Sequence, residues 1–237
     1  MYGLSVENWA TILIDGSTVF LLLGVFLETS IMRKRNREDD KLFFILLFFD
    51  IIMALADIPS YLIDKREFPG GRIINIASMT VFYVAMAFLC MAFLHYCIVR
   101  FVGMDSSVSK KKHTPFFVPG LLVEVLLIVN IFAGFIFNVD ENNYYHHGIL
   151  YIPFMVMMFA YLIAGFIIIA RYRTGMDKKT LIPVWIYVLP VVVGLVVPFV
   201  FGGISLTSIG CGMSIVFTHL GSASELVQSD VKGGEAA

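Results

Sequence analysis

Long apolar stretches alternate with short polar connections along this chain. Seven such stretches can be recognised, and each is close to the roughly 20 residues that a helix needs to cross the hydrocarbon core of a bilayer. They cover about Ala10–Met32, Leu42–Ile63, Ile73–Val102, Phe116–Phe137, Ile149–Ala170, Leu181–Phe201 and Ile204–Leu220. The pattern predicts an all-α membrane protein in which seven transmembrane helices form one bundle.

The basic residues are distributed unevenly among the connections between these stretches. Of the 17 Lys and Arg residues, 14 lie in or beside the first, third and fifth connections and in the C-terminal tail. The second connection holds the other three, Lys65, Arg66 and Arg72, while the fourth and sixth hold none. Because short cytoplasmic loops carry an excess of Lys and Arg, the N-terminus is predicted to lie outside and the C-terminus in the cytoplasm.

The overall composition supports a membrane environment. The chain is 59% hydrophobic and 15% charged, and its mean hydropathy is +0.86. A soluble domain of this composition would expose large apolar patches, so the lipid bilayer is the expected surrounding. Although the formal net charge is only −1, the basic residues are concentrated on the predicted cytoplasmic side, where they can contact anionic lipid headgroups. Nothing in the sequence points to nucleic acid.

The seven stretches leave no room for a soluble domain within this sequence. We expect residues 1–220 to form the seven-helix transmembrane domain. Residues 221–237 are expected to form a short cytoplasmic tail, partly disordered or the start of a signalling helix. The first stretch is interpreted as an N-out helix rather than a cleaved signal peptide, because its 23 residues are too many and an Ala-x-Ala site is missing.

The sequence contains no recognisable catalytic or cofactor motif. There is no His-Glu-x-x-His, no Gly-x-Ser-x-Gly and no phosphate-binding glycine loop. The seventh stretch has no lysine, so it offers no attachment point for a retinal Schiff base. We therefore expect this chain to be no enzyme and to hold no cofactor, with any catalytic output coming from a fused or associated domain.

Several polar side chains lie within the predicted spans, where charged groups usually face a protein interior or a cavity. Asp50 and Asp57 are seven residues apart on the second helix and so share nearly one face. The other candidates for ligand binding or signal coupling within the spans are Asp15, Glu124, Asn130 and Tyr83. Two hypotheses remain open: a ligand or proton site in a solvated outer cavity, or structural hydrogen bonds between helices.

The outer loop from Asn138 to Gly148 concentrates acidic, aromatic and histidine residues. Tyr144 and Tyr145 are its candidates for ligand contact. Adjacent histidines such as His146 and His147 rarely coordinate one ion together, and their spacing matches no zinc pattern, so no metal site is predicted. The seventh stretch is rich in small residues, and we expect Thr207, Gly210, Cys211 and Ser214 to form a closely packed face.

Short motifs in the chain carry a family resemblance. Ile128–Phe137 leads into Asp140-Glu141-Asn142-Asn143-Tyr144-Tyr145-His146-His147-Gly148, and Pro190, Pro198 and Gly202–Leu206 follow. Together with Asp57 in a Leu-Ala-Asp-Ile pattern, they resemble the N-terminal seven-helix sensor module of bacterial, mainly clostridial, GGDEF-type diguanylate cyclases and of some membrane histidine kinases. The resemblance covers most of Leu42 to Gln228. Where that family often has Tyr-x-Arg-Gly or Tyr-His-Arg-Gly, this chain has Tyr145-His146-His147-Gly148.

The resemblance implies a sensory receptor in a bacterial inner (cytoplasmic) membrane, with an unknown small-molecule ligand or membrane signal. We expect helices six and seven to relay the signal, in a homodimer, to a cytoplasmic cyclase or kinase output domain that would begin where this chain stops. Two alternatives remain: a small transporter or proton-coupled channel built around Asp50, Asp57 and Glu124, and a structural membrane subunit without a ligand. An odd helix number without an internal repeat disfavours an inverted-repeat transporter.

Overall fold

The computed structural model describes residues 4–32, 38–66, 69–102, 117–172, 189–194, 196–197 and 205–217. Within these ranges seven helical segments are present. The helices are α1 (Val6–Met32), α2 (Glu38–Ile63), α3 (Gly71–Cys97), α4 (Val118–Ala133), α5 (Tyr151–Tyr172), α6 (residues 189–194 and 196–197) and α7 (Thr207–Phe217). A π-helical turn, Ile98–Val102, continues α3.

Four of the described helices are long and apolar enough to cross a bilayer. The spans are Val6–Ile31, Asp40–Ile63, Gly71–Arg100 and Tyr151–Arg171, whereas α4 and α7 are shorter apolar helices. Large apolar side chains on their outer faces are strongly exposed, as Ile31 (83%) on α1 and Phe132 (90%) on α4 show. A bilayer is the solvent that accepts such faces, so the protein is a helical membrane protein.

Helix α3 lies at the centre of the described bundle. It packs against α2, α4 and α5, and α1 packs against the other side of α2. Aromatic rings fill these contacts: Phe49 of α2 stacks on Phe88 of α3 at a centroid distance of 4.9 Å, and Phe93 of α3 meets Phe166 of α5 edge to face at 5.6 Å. Offset and edge-to-face ring pairs of this kind add to the dispersion energy of close packing.

The helix formed by the fourth predicted stretch ends before the last apolar residues of that stretch. It was expected to reach Phe137, but α4 ends at Ala133 because Gly134 adopts a left-handed conformation with φ of 65°. The chain then forms an antiparallel hairpin, β1 (Phe137–Val139) with β2 (Tyr145–His147). The predicted end of the fourth stretch at Phe137 is therefore wrong, and the outer loop contains two short strands, whereas the described chain as a whole is mostly helical.

Parts of the predicted architecture lie outside the described residues. These parts are the basic first, third and fifth connections for most of their length, Pro183 and Pro198 of the sixth stretch, and the tail from residue 221. The orientation of the bundle and the number of its spans therefore remain predictions from the distribution of Lys and Arg.

Candidate functional site

Several helix ends meet at one end of the bundle, which we call the hairpin end. Asn8 near the start of α1 donates its side-chain Nδ2 to the carbonyl of Tyr61 near the end of α2, at 3.0 Å. The backbone N–H of Ser205, just before α7, donates to Thr11 Oγ1 on α1 at 3.2 Å. The backbone N–H of Lys65 donates to the carbonyl of Asn143 in the hairpin, at 3.2 Å. The start of α1, the end of α2 and the approach to α7 thus share the hairpin end.

Asn143 fixes the hairpin to the helices beneath it. Its side chain is buried, and its Nδ2 donates to the carbonyl of Ile63 at 2.7 Å. Its Oδ1 accepts from Asn75 Nδ2 of α3 at 3.1 Å. Arg72 at the start of α3 also donates its Nε to the carbonyl of Val139, at 2.9 Å. The hairpin is therefore bonded to both α2 and α3 and covers their ends.

Asn130 holds the other side of the hairpin. Its Nδ2 donates to the carbonyl of Phe137 at 3.0 Å, and its Oδ1 accepts the backbone N–H of Ile136 at 2.6 Å. Asn130, a candidate for ligand contact, is thus engaged with the backbone that follows α4. Buried amides that pair with backbone in this way satisfy groups that would otherwise be costly to bury.

The hairpin turn is organised by Asp140. Its Oδ1 accepts the backbone N–H groups of Asn142 and Tyr144 at 2.9 and 2.8 Å, and its Oδ2 contacts His146 Nε2 at 3.1 Å. The hydrogen bond from the Tyr144 backbone, together with the His146 contact, lowers the pKa of Asp140. Among the described residues no group of three His, Cys, Asp or Glu side chains could hold a metal ion.

The two tyrosines of the hairpin have different surroundings. Tyr144 is 44% exposed, with Lys65 Nζ 5.9 Å from its ring centre, and it does not point into the bundle. The hydroxyl of Tyr145 lies 2.5 Å from that of Tyr83 on α3, and burial raises the pKa of Tyr145. Tyr83 in turn packs its ring against Phe137 and Phe154 at 5.3 and 5.4 Å. The Tyr83–Tyr145 pair therefore links the hairpin to the membrane interior.

Buried aspartates of α1 and α2 lie next to this tyrosine pair. Asp15 and Asp57 face each other across the α1–α2 contact, and Asp57 also lies within electrostatic range of Tyr83 and Tyr145. Three serines complete the surroundings of the two carboxyls, and we call the whole set the carboxyl site. Its members are Asp15, Asp57, Ser60, Ser205 and Ser208.

The hydrogen bonding of the carboxyl site is incomplete. Ser60 Oγ lies 2.7 Å from the Asp57 carbonyl, to which it donates, and 3.4 Å from Asp57 Oδ1. Both carboxyl oxygens of Asp15, Oδ2 of Asp57 and the hydroxyl of Ser208 are buried and meet no partner at hydrogen-bonding geometry among the described residues. Buried polar groups are normally paired, because an unpaired one costs about 1–3 kcal/mol, so this concentration makes the carboxyl site the candidate functional site of the described bundle.

Asp50 lies deeper on the same face of α2, about two helical turns from Asp57. It is fully buried, and both of its carboxyl oxygens lack a hydrogen-bond partner among the described residues. Gly212 of α7 passes close by: a Cβ atom there would lie 3.3 Å from Asp50 Oδ2 and 3.0 Å from Thr18 Cγ2. Helix α7 therefore packs against α1 and α2 through a glycine, at the level of the inner aspartate.

Glu124 does not belong to this cluster. It is buried on α4, which packs against α3, and among the described residues no charged group is close enough to act on it. The structure thus brings together Asp15, Asp57, Tyr83 and Tyr145, places Asp50 further inward, and separates Glu124 from all of them. Sequence reasoning did not assign Ser205 and Ser208 to the site, because in the sequence they are only two of several small residues near the seventh helix.

Helices α6 and α7 are in backbone contact. A Cβ atom on Gly210 would lie 2.9 Å from the Cα of Gly194 and 2.5 Å from the carbonyl oxygen of Pro190. The expected close packing of the small face of the seventh helix therefore occurs at Gly210, and its partner surface is α6. Glycine is required there because any side chain would meet backbone atoms.

Comparison of the chain with protein-family models, with characterised proteins and with solved structures finds no match.

Proposed function

We propose that this chain is a multi-pass sensory receptor module of a bacterial inner membrane. The observation that carries the proposal is that the carboxyl site joins α1, α2 and the start of α7 beside a docked hairpin. A signal that binds there acts directly on the helix that leads to the C-terminal tail. Buried ionisable groups inside a membrane protein are costly and typically serve function, which supports this assignment.

A topology with seven spans, the N-terminus outside and the C-terminus inside supports access from the outside. The hairpin end carries the second and fourth connections, which hold three of the 17 Lys and Arg residues. By the positive-inside rule this end faces away from the cytoplasm. The carboxyl site then lies near the outer surface, where a soluble or membrane-borne signal can reach it.

Asp57 is the group through which the signal acts. It faces Asp15 on α1 and Ser205 at the approach to α7, so a change in its charge or bonding alters contacts on three helices at once. A ligand that brings positive charge or hydrogen-bond donors relieves the repulsion between the two carboxyls. When the ligand binds or leaves, α7 is the helix that gains or loses a contact with Asp57.

The output is a cytoplasmic diguanylate cyclase or histidine kinase domain, fused to the chain or associated with it. The motif resemblance of Asp57 and of the Tyr145-His146-His147-Gly148 segment to sensor modules of such proteins supports this output. The backbone contact between Gly194 and Gly210 supports a relay in which α6 and α7 move together. The relay is proposed to operate in a homodimer.

A second candidate function is a small proton-coupled or cation-coupled transporter. The observation that favours it is the order of three buried aspartates: Asp57 lies nearest the hairpin end, Asp15 follows and Asp50 lies deepest. Ionisable groups in such a row can form an ion pathway through a membrane protein. The isolated position of Glu124 removes that residue from such a path.

Ion flux separates these two functions. We expect liposomes that contain the full chain to show no more proton or sodium flux than protein-free liposomes when either gradient is imposed, because a receptor binds without translocating. A pH-sensitive dye inside the vesicles and radioactive sodium report the two fluxes. Flux that is lost in Asp57→Asn but kept in Glu124→Gln would contradict the receptor and establish the transporter.

A further inference from the structure

We infer that the carboxyl site binds a single sodium ion between Asp15 and Asp57, completed by the hydroxyl of Ser208. The inference rests on the signal site proposed above and adds the ion which that site takes. It is carried by the geometry of two carboxyls and a hydroxyl that are buried together without partners.

The carboxyl site contains several buried acceptor atoms on neighbouring residues. Both oxygens of Asp15 and Oδ2 of Asp57 have no hydrogen-bond partner within the described residues, although Asp15 is fully buried and Asp57 is 2% exposed. Ser208 is an independent third group: its side chain is fully buried, faces Asp15, and its Oγ also has no partner at hydrogen-bonding geometry. The four unpaired oxygens thus belong to neighbouring residues on α1, α2 and α7.

The described residues supply no positive charge to the carboxyl site. Asp57, Asp50 and Ser208 act on Asp15, and Asp15, Ser60 and Ser205 act on Asp57. The tyrosines within electrostatic range of Asp57 are Tyr61, Tyr83 and Tyr145, and Tyr61 is also within range of Asp15. No Lys, Arg or His of the described residues is among them. Two carboxylates in a medium of low dielectric constant repel each other strongly, so a positive ligand between them is favoured.

A cation satisfies this site better than a shared proton does. A proton between Asp15 and Asp57 creates one hydrogen bond and pairs one oxygen of each carboxyl at most. A metal ion contacts several oxygens at once, including the hydroxyl of Ser208. Because each buried acceptor left unpaired costs about 1–3 kcal/mol, the ligand that reaches more of them is preferred.

The set of ligands indicates the class of ion. Carboxylate and hydroxyl oxygens are hard ligands and favour hard cations rather than zinc or copper. Calcium takes six to eight oxygens, and magnesium keeps several waters. Only two carboxyls converge here, both are buried, and no third acidic, His or Cys ligand joins them among the described residues. A small monovalent cation, sodium, fits these conditions.

Bound sodium would tie three helices together. Asp15 belongs to α1, Asp57 to α2 and Ser208 to α7, and the Ser205 backbone N–H already bonds to Thr11 on α1. Occupancy therefore favours the arrangement in which α7 is held against α1 and α2. When the ion leaves, α7 is no longer held against α1 and α2. Sodium therefore acts as a second ligand of the signal site, alongside the signal itself.

The first test uses the wild-type full chain in nanodiscs. We measure its Tm in sodium chloride solutions, with choline chloride replacing sodium chloride at constant ionic strength so that screening does not change. A ligand that binds only the folded state raises Tm with its concentration, so sodium should raise Tm and saturate. Potassium should act only at much higher concentration. Equal responses to sodium, potassium and choline would overturn the inference.

Variants locate the ion. Asp15→Asn and Ser208→Ala should raise the sodium concentration that gives half of the maximal increase in Tm. For Asp15→Asn the increase in this concentration should be at least about tenfold, because the substitution removes a buried charged ligand. Glu124→Gln is the matched control, a buried carboxyl outside the site, and should respond as wild type does. Radioactive sodium binding to the wild type, competed by unlabelled salts, gives a second measurement if a variant fails to fold. Sodium dependence that persists unchanged in Asp15→Asn and Ser208→Ala would place the ion elsewhere and overturn the inference.

Two further outcomes are informative. If pH changes Tm through Asp15 while sodium has no effect, the ligand is a proton alone and the inference is wrong. If sodium binds as described but is also carried across the membrane, the ion site stands and the receptor function fails. These outcomes therefore distinguish a failure of the sodium inference from a failure of the proposed receptor function.

Discussion

Replacing Gly210 by leucine should prevent the protein from reaching a stable folded state. A Cβ at this position meets the carbonyl oxygen of Pro190 at 2.5 Å and the Cα of Gly194 at 2.9 Å, and both are backbone atoms. Overpacking among side chains costs about 1–3 kcal/mol because rotamers can adjust, but two helix backbones must separate here. We expect Gly210→Leu to yield little monodisperse protein after purification, and any that is recovered to melt far below wild type.

The same substitution on α1 provides the control. A Cβ on Gly24 has no neighbouring atom within 4 Å, so Gly24→Leu should purify in wild-type yield with an unchanged Tm. Both variants add the same apolar side chain to a helix, which separates steric packing from effects of insertion. If Gly210→Leu also folded with an unchanged Tm, the backbone contact between α6 and α7 at Gly210 would be absent from the folded protein.

Asn143→Ala should detach the hairpin from the bundle and lower stability by about 2–3 kcal/mol, because one short side chain supplies a buried and a part-buried hydrogen bond. Its loss leaves the carbonyl of Ile63 and the amide of Asn75 without their partner. Alanine is also strained at the φ of 66° that Asn143 adopts. Thermal unfolding measures the loss, and protease cleavage in the hairpin reports its release.

Two variants resolve the cause of that loss. Asn142→Ala changes the same amide one residue earlier, on an exposed side chain, and should shift stability by less than about 0.5 kcal/mol. Asn143→Gly keeps the backbone conformation but not the amide, so it should recover only the part due to strain. An Asn143→Ala variant as stable and as protease-resistant as Asn142→Ala would show that the hairpin is not anchored through this residue.

The long spans could be predicted from the sequence because helix length in a bilayer follows from hydrophobicity alone. The expected stretches Ala10–Met32 and Leu42–Ile63 differ from α1 and α2 only at their N-terminal ends, by four residues each. Phe116–Phe137 was predicted too long for a physical reason: Phe135, Ile136 and Phe137 are apolar, yet Gly134 ends the helix. A polar turn from Asp140 to Asn143 was the available signal for the hairpin.

The composition of the carboxyl site could be predicted only in part. The spacing of Asp50 and Asp57 placed both on one face of α2, and the structure buries both of them. The partner of Asp57 depends on how α1 and α7 are rotated about their axes, which hydropathy does not determine. Asp15 and Glu124 therefore appeared equivalent in the sequence, whereas the structure joins Asp15 to Asp57 and leaves Glu124 apart. Tyr83 and Tyr145 meet through a hairpin that the sequence pattern did not predict.

Hydrogen exchange of Thr207–Phe217 shows whether a change at Asp57 is transmitted to α7. In sodium-free buffer, Asp57→Asn removes the repulsion with Asp15 and offers an amide donor to the unpaired Asp15 oxygens. We expect slower exchange in α7 of Asp57→Asn, with Val118–Ala133 unchanged, and no change in α7 for Glu124→Gln. Unchanged or faster exchange of Thr207–Phe217 in Asp57→Asn would show that Asp57 does not act on α7.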